Sequence, residues 1–111
     1  MVSVSEEVID QMARRIARAV EPQRIVLFGS WARGAAHEHS DVDFLIVERE
    51  PFGAQRSRRQ EAARIWRYLS DFRIATDILV YSADEVAQWQ DSSHHVIAQA
   101  LREGRVLYES D

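Results

Sequence analysis

Residues 25–28 (Ile-Val-Leu-Phe) and 42–47 (Val-Asp-Phe-Leu-Ile-Val) are the segments of this chain with the fewest conformational choices. Both are short, apolar and rich in β-branched side chains, as in strands buried in a sheet. The first runs directly into Gly29-Ser30, and the second is entered through Ser40-Asp41. Two buried strands joined by a polar stretch therefore form the centre of the expected fold. After the first strand, Ser30 is expected to cap a short helix over residues 31–33, which Gly34 ends. Glycine lets a backbone come close to a ligand, and free N–H groups at a helix start attract anions, so Gly29-Ser30 has the makings of a phosphate seat.

Strand side chains alternate with period two, which puts Asp41 and Asp43 on one face. Two unit charges about 4 Å apart in an effective dielectric near 20 repel by roughly 4 kcal/mol, and a divalent cation relieves that repulsion. Oxygen ligands with no Cys or His among them favour Mg²⁺, commonly held by one or two carboxylates together with substrate phosphates. A phosphate-sized turn beside paired carboxylates implies an enzyme acting on a nucleoside triphosphate.

A third carboxylate stands in the run Arg73-Ile-Ala-Thr-Asp77-Ile-Leu-Val-Tyr81. Period two puts Ile74, Thr76, Ile78 and Val80 on one face and Ala75, Asp77 and Leu79 on the other. A carboxylate among apolar strand residues is costly unless it is paired or binds metal, so Asp77 is either a metal ligand or a partner for a nearby Arg. Asp71 and Asp84 read as ordinary boundary and helix-start residues.

The spacing Gly29-Ser30, ten residues, Asp41-Val42-Asp43, with Ala32-Arg33-Gly34 and Ser40 flanking, resembles the DNA polymerase β-like nucleotidyltransferase superfamily. It most closely resembles the minimal nucleotidyltransferases, antitoxin partners of HEPN ribonucleases. The resemblance extends to a closing strand at Glu103-Gly-Arg-Val-Leu-Tyr108. It implies an α/β (α+β) fold with a small mixed sheet flanked by helices, and two Mg²⁺ ions held by Asp41, Asp43 and Asp77 as catalytic carboxylates. It also implies nucleotide binding by Gly29, Ser30, Arg33 and Ser40. For Arg33 two roles stay open: contact with a phosphate, or bracing of the turn by pairing with an Asp. The implied activity is adenylyl transfer from ATP to a tyrosine hydroxyl of a helical HEPN-type toxin in a hetero-oligomer. Alternatives are a small-molecule nucleotidyltransferase of the aminoglycoside-modifying type, completed by a helical subunit, or a non-catalytic module that occludes a toxin. Larger relatives carry a second helical domain that selects the acceptor, so here a partner chain is expected to supply it.

The 111 residues are expected to form one domain, 1–111. Absence of Cys excludes disulfides and thiolate metal sites, and with no secretory signal or long apolar span the default compartment is the cytoplasm. A net charge of -4 argues against strong general nucleic-acid binding. All 14 basic residues are Arg, so any phosphate clamp must use guanidinium.

The predicted element order is α-β-α(short)-β-α-β-α-α-β. A Ser3-x-x-Glu6 capping box opens a helix over residues 3–20, with Val8, Ile9, Met12, Ala13, Ile16 and Val20 inward and Pro22 beyond its end. Residues 55–72 carry Ala62, Ile65, Trp66 and Leu69 as a helical stripe, with Trp66 expected in the core. Arg56, Arg58, Arg59, Arg64 and Arg67 are expected to form a solvated face balancing Glu61. Ser82-Ala-Asp-Glu85 is a second capping box. Asp91 or Ser92 is expected to cap a last helix with Val96, Ile97, Ala100 and Leu101 inward, stopped by Gly104. His37-x-His39 lacks a third nitrogen ligand for a transition metal, and His94 and His95 read as surface residues.

Overall fold

The computed structural model describes residues 3–110. Helix α1 (Glu6–Val20) is followed by β1 (Arg24–Phe28), the short helix α2 (Ser30–Arg33), β2 (Val42–Glu48) and α3 (Arg58–Tyr68). A 3-10 turn (Ser70–Phe72), β3 (Thr76–Ser82), α4 (Ala83–Trp89), α5 (Val96–Glu103) and β4 (Arg105–Glu109) complete the order expected from the sequence. The fold is the expected mixed α/β one: four strands in the order β3-β2-β1-β4, with β2 parallel to β3 and β1 antiparallel to both β2 and β4.

This topology decides where chemistry can occur. The end of β1 and the starts of β2 and β3 lie at the same edge of the sheet, with Phe28 opposite Asp43 and Asp43 opposite Asp77. Alternation then assigns the faces. Val42, Phe44, Ile46 and Val80 join Ile9, Met12 and Ile16 of α1 and Ile65 of α3 in one core. Leu45, Val47, Leu79 and Tyr81 pack with Val86 of α4 and Ile97 and Ala100 of α5 in another. Asp43 and Asp77 share the second parity, at the end of the face that α4 and α5 cover.

Several local expectations are corrected. The cap of α1 is Ser5, whose side chain accepts the Val8 N–H, while the Ser3 hydroxyl reaches Glu38 at 3.2 Å. The helix ends at Glu21, which takes the left-handed conformation just before Pro22. Gly29, not Ser30, is the residue that caps α2, and no side chain caps it; Ser30 is the first helical residue. On α3 the buried line runs Glu61, Ile65, Leu69, and Trp66 stands 53% exposed. The charged Glu61 occupies a core-facing position, which disguised the true stripe and drew Trp66 into the expected one. The cap of α5 is His95, whose Nδ1 accepts the Ile97 N–H at 3.1 Å, and not Asp91 or Ser92. His95 also stacks on Trp89 with ring centroids 4.7 Å apart, so it is no plain surface residue. Val96 is exposed, and Ala98 is buried in its place. The Ser82/Glu85 capping box is present as expected.

Three of the arginines around α3 are ion-paired while remaining partly exposed, and two of them balance Glu61 as expected. Arg58 forks onto Glu85 at 2.8 and 2.5 Å, Arg64 onto Glu61 at 2.8 and 2.9 Å, and Arg56 contacts Glu48 and Glu61. Glu48 is only 5% exposed, and among the described residues no donor faces its Oε2. Burial first, then the Glu61 contact and charge, push the Glu48 carboxyl up to about 7 against the opposing pull of Arg56. Burial also acts to raise Glu61, but the Arg64 fork, the Glu48 contact and Arg56 prevail and hold it below its usual range.

Between the ordinary 4.5 and about 7, the folded state therefore keeps a Glu48 proton that the unfolded chain releases. Stability from this group falls as pH rises through that window, and the cost is complete above it. Glu48→Gln supplies an amide donor with no titration. It is expected to stabilise the fold by about 1–3 kcal/mol at pH 8 and to have almost no effect near pH 4.5. Urea midpoints at the two pH values check this, and an effect independent of pH contradicts the upward shift of the Glu48 carboxyl.

Candidate active site

Gly29 is placed where other residues do not fit. Its φ is +72° with ψ -155°, and a Cβ built there comes 2.1 Å from Asp43 Oδ2. The Asp43 carboxylate thus lies directly against the Gly29 backbone, joining the predicted phosphate seat to the predicted metal site. The Gly29 carbonyl accepts the Ala32 and Arg33 N–H groups at 3.1 Å each, and Gly34 closes α2 in the left-handed conformation. Trp31 is half-buried, and its Nε1 donates to the Ser40 carbonyl at 3.3 Å, tying α2 to the loop before Asp41.

Asp43 and Asp77 face each other across the β2–β3 ladder, while Asp41 sits exposed just before β2. Burial is the largest influence on Asp43, followed by its contact with Asp77 and the charges of Asp77 and Asp41; together they push its carboxyl up to about 6. Arg33 acts in the opposite direction. This is the electrostatic signature of carboxylates crowded together with too little positive charge, and it fits a hard divalent cation. Among the described residues no three His, Cys, Asp or Glu side chains form a ready-made ligand cage. The donor set fits an ion that takes its other ligands from phosphate and water, as Mg²⁺ usually does.

Asp77 is exposed near the start of β3, on the face that alternation predicted, and among the described residues it is not drawn into an ion pair with arginine. Arg33 lies at the site and, among the described residues, makes no ion pair with an Asp: its Nη1 donates to Glu103 at 3.3 and 3.4 Å. The Ser40 hydroxyl accepts the His37 N–H at 3.0 Å, so it braces the loop that delivers Asp41. His37 and His39 are exposed in that loop. Glu103, which sequence reasoning read only as the start of the closing strand, is the unanticipated member of the site: it also accepts the Gly29 N–H at 3.1 Å. Cavity and chemistry do not coincide everywhere. A concavity of about 300 Å³ lined by Asp10, Ala13, Arg14, Leu107 and Tyr108 lies against α1, on the opposite face of the sheet from Asp43.

Residues 9–107 match the sequence model of the nucleotidyltransferase domain. The chain belongs to that family. This nucleotidyltransferase domain is 35% identical over 97 residues to a bifunctional uridylyltransferase/uridylyl-removing enzyme of Methylococcus capsulatus, a match covering 87% of this chain. The matched part is 11% of that enzyme's length, so the domain spans about a tenth of this relative. It is 33% identical over 76 residues to a proposed protein adenylyltransferase of Methanocaldococcus jannaschii, covering 67% of this chain and 72% of that protein. Its fold is shared with the crystal structure of a toxin-antitoxin with AMP-PNP (TM-score 0.58, 19% identity, 92% of this chain and 74% of that one). It is also shared with the toxin-antitoxin MntA-HepT (TM-score 0.53, 16% identity, 95% and 74%). Among the described residues no helix is long and apolar enough to cross a membrane.

Proposed function

We propose that this nucleotidyltransferase domain moves AMP from ATP to a tyrosine hydroxyl of a helical HEPN-type toxin, neutralising it as its antitoxin. The observation that carries the reading is the row Gly29, Asp43, Asp77, in which a backbone turn able to approach phosphate touches one of two facing carboxylates. The relation to a proposed protein adenylyltransferase and the shared fold with toxin-antitoxin structures, one of them with AMP-PNP, support the donor and the acceptor class.

In this mechanism Ser30 and the first turn of α2 receive the outer phosphates, Gly29 allows their close approach, and Arg33 adds positive charge beside them. Asp41, Asp43 and Asp77 would hold Mg²⁺, which would neutralise phosphate charge and make an acceptor hydroxyl more acidic. Asp77, exposed near the start of β3, orients the tyrosine hydroxyl and takes its proton. The tyrosine oxygen bonds to the α-phosphorus, the bond from that phosphorus to the bridging oxygen breaks, and pyrophosphate leaves. The toxin supplies the second wall of the cleft and the acceptor, in a hetero-oligomer.

The test incubates the protein with MgCl₂, α-labelled ATP or UTP, and the product of the neighbouring gene, followed by mass spectrometry. AMP on a partner tyrosine is expected, with Asp77→Asn folded but reduced at least about a hundredfold in transfer. UMP on the partner assigns the other nucleotide, in keeping with the uridylyltransferase relative. Label on a small molecule, or tight binding with no label anywhere, overturns protein adenylylation. A folded Asp77→Asn variant with normal transfer removes Asp77 from the catalytic set.

A further inference from the structure

Glu103 is the last residue of α5, and the glycine after it fixes its position. At Gly104 an added Cβ comes 2.3 Å from the Ala100 carbonyl oxygen, 2.5 Å from Val26 Cγ1 and 2.9 Å from the Leu27 carbonyl oxygen. The end of α5 therefore presses on β1 more closely than a side chain would allow, and Arg105 at once begins β4 opposite Leu27. From this anchored position the Glu103 side chain, 20% exposed, reaches across the end of β1. Its Oε1 accepts the Gly29 N–H at 3.1 Å and an Arg33 N–H at 3.3 Å.

One oxygen thus holds two parts of the turn. With the Gly29 N–H on Glu103 and the Gly29 carbonyl on Ala32 and Arg33, both backbone groups of Gly29 are engaged. Among the described residues nothing engages the Ser30 hydroxyl. Arg33, half-exposed, is kept on the Asp43 side of the turn instead of sweeping through solvent. An isolated exposed ion pair contributes little, but a carboxylate that also satisfies a part-buried N–H of a turn is geometrically committed.

We infer that Glu103 is a positioning residue for nucleotide binding, setting the Gly29-Ser30 turn and the Arg33 guanidinium to receive the triphosphate. The inference rests on the nucleotide-binding reading of this site. Glu103 touches neither donor nor acceptor. It acts through Gly29 and Arg33, linking α5 to the chemistry of β1 and β2.

The test is titration calorimetry of the full chain with Mg²⁺ and AMP-PNP, alongside thermal midpoints. Glu103→Ala is expected to weaken binding about tenfold or more, while Glu103→Gln, which retains an acceptor oxygen at the same reach, stays within about threefold of wild type. In an Arg33→Ala background Glu103→Ala is expected to cost less than in wild type, because the two share one function. If Glu103→Ala fails to fold, Glu103→Asp takes its place: it keeps the charge, withdraws the oxygen by one methylene and is expected to bind more weakly. Wild-type-like affinity in Glu103→Ala, or in Glu103→Asp where that variant takes its place, overturns the inference. So does tighter binding, which makes the carboxylate a competitor of the phosphates. Failure of the wild-type protein itself to bind AMP-PNP instead overturns the nucleotide-binding reading.

Discussion

Asp43→Asn is expected to reduce nucleotidyl transfer by roughly a thousandfold while making the metal-free protein more stable. The loss of activity follows from removing the ligand at the centre of the proposed site. The gain in stability follows from electrostatics: burial, Asp77 and Asp41 push the Asp43 carboxyl from 3.8 up to about 6. Between those values the folded protein binds a proton that the unfolded chain has lost, so this group's contribution to stability falls as pH rises through the window. Above about 6 the full cost of an ionised Asp43 is present. Asparagine removes the charge at nearly the same shape and is expected to stabilise the fold by about 1–2 kcal/mol at pH 7.5 in EDTA, with the difference vanishing near pH 4. Urea titrations at both pH values measure it. Added Mg²⁺ and nucleotide should raise the wild type but not the variant; ligand at a hundredfold over its dissociation constant contributes about 2.7 kcal/mol. An Asn variant less stable than wild type in EDTA at pH 7.5 contradicts the idea that Asp43 is held under repulsion.

Gly29→Ala is expected to be strongly destabilising and to disrupt the site. The backbone there occupies a region open almost only to glycine, and the new Cβ meets Asp43 Oδ2 at 2.1 Å. Either β1 and β2 separate at this end or Asp43 rotates away, and both outcomes dismantle the site. A cost of about 3 kcal/mol or more is expected, which lowers the thermal midpoint by roughly 12 °C or more. Gly34→Ala is the internal control, since it shares a positive φ (+74°) but meets nothing within 4 Å. It should cost about 1 kcal/mol. Equal effects at the two positions would show that the approach to Asp43 adds nothing to the cost of the positive φ.

The contrast between these two glycines also shows what a sequence makes legible. The strands were readable because period-two alternation is local. The same alternation correctly grouped Asp77 with Leu79 and apart from Ile78 and Val80, before any knowledge of β2–β3 pairing. Helix existence was readable from apolar spacing, but the caps were not: Ser3 and Ser5 are chemically equivalent, and only the path of the chain selects Ser5. His95 reads as a surface residue because an imidazole cap has no strong sequence signature, and Trp66 reads as core because a core-facing Glu61 conceals the buried line of α3. Glu103 lay beyond sequence reasoning for a different reason. It meets Gly29 across 74 positions, and nothing in its neighbours Arg102 and Gly104 points to a turn so distant.

The placement of β3 at the margin of the sheet has a consequence for how this domain loses activity. Asp43 lies on an interior strand flanked on both sides, whereas Asp77 is carried by a strand bonded on one side only. The carboxylate pair is therefore only as durable as the single ladder between β2 and β3. Marginal strands open at lower free energy than interior ones, in excursions that leave the rest of the molecule folded. Inactivation by heat or mild denaturant should accordingly precede global unfolding. Amide exchange from residues 76–80 should report it, outpacing exchange from residues 44–47 while Ile9, Met12 and Ile16 stay packed on the other face.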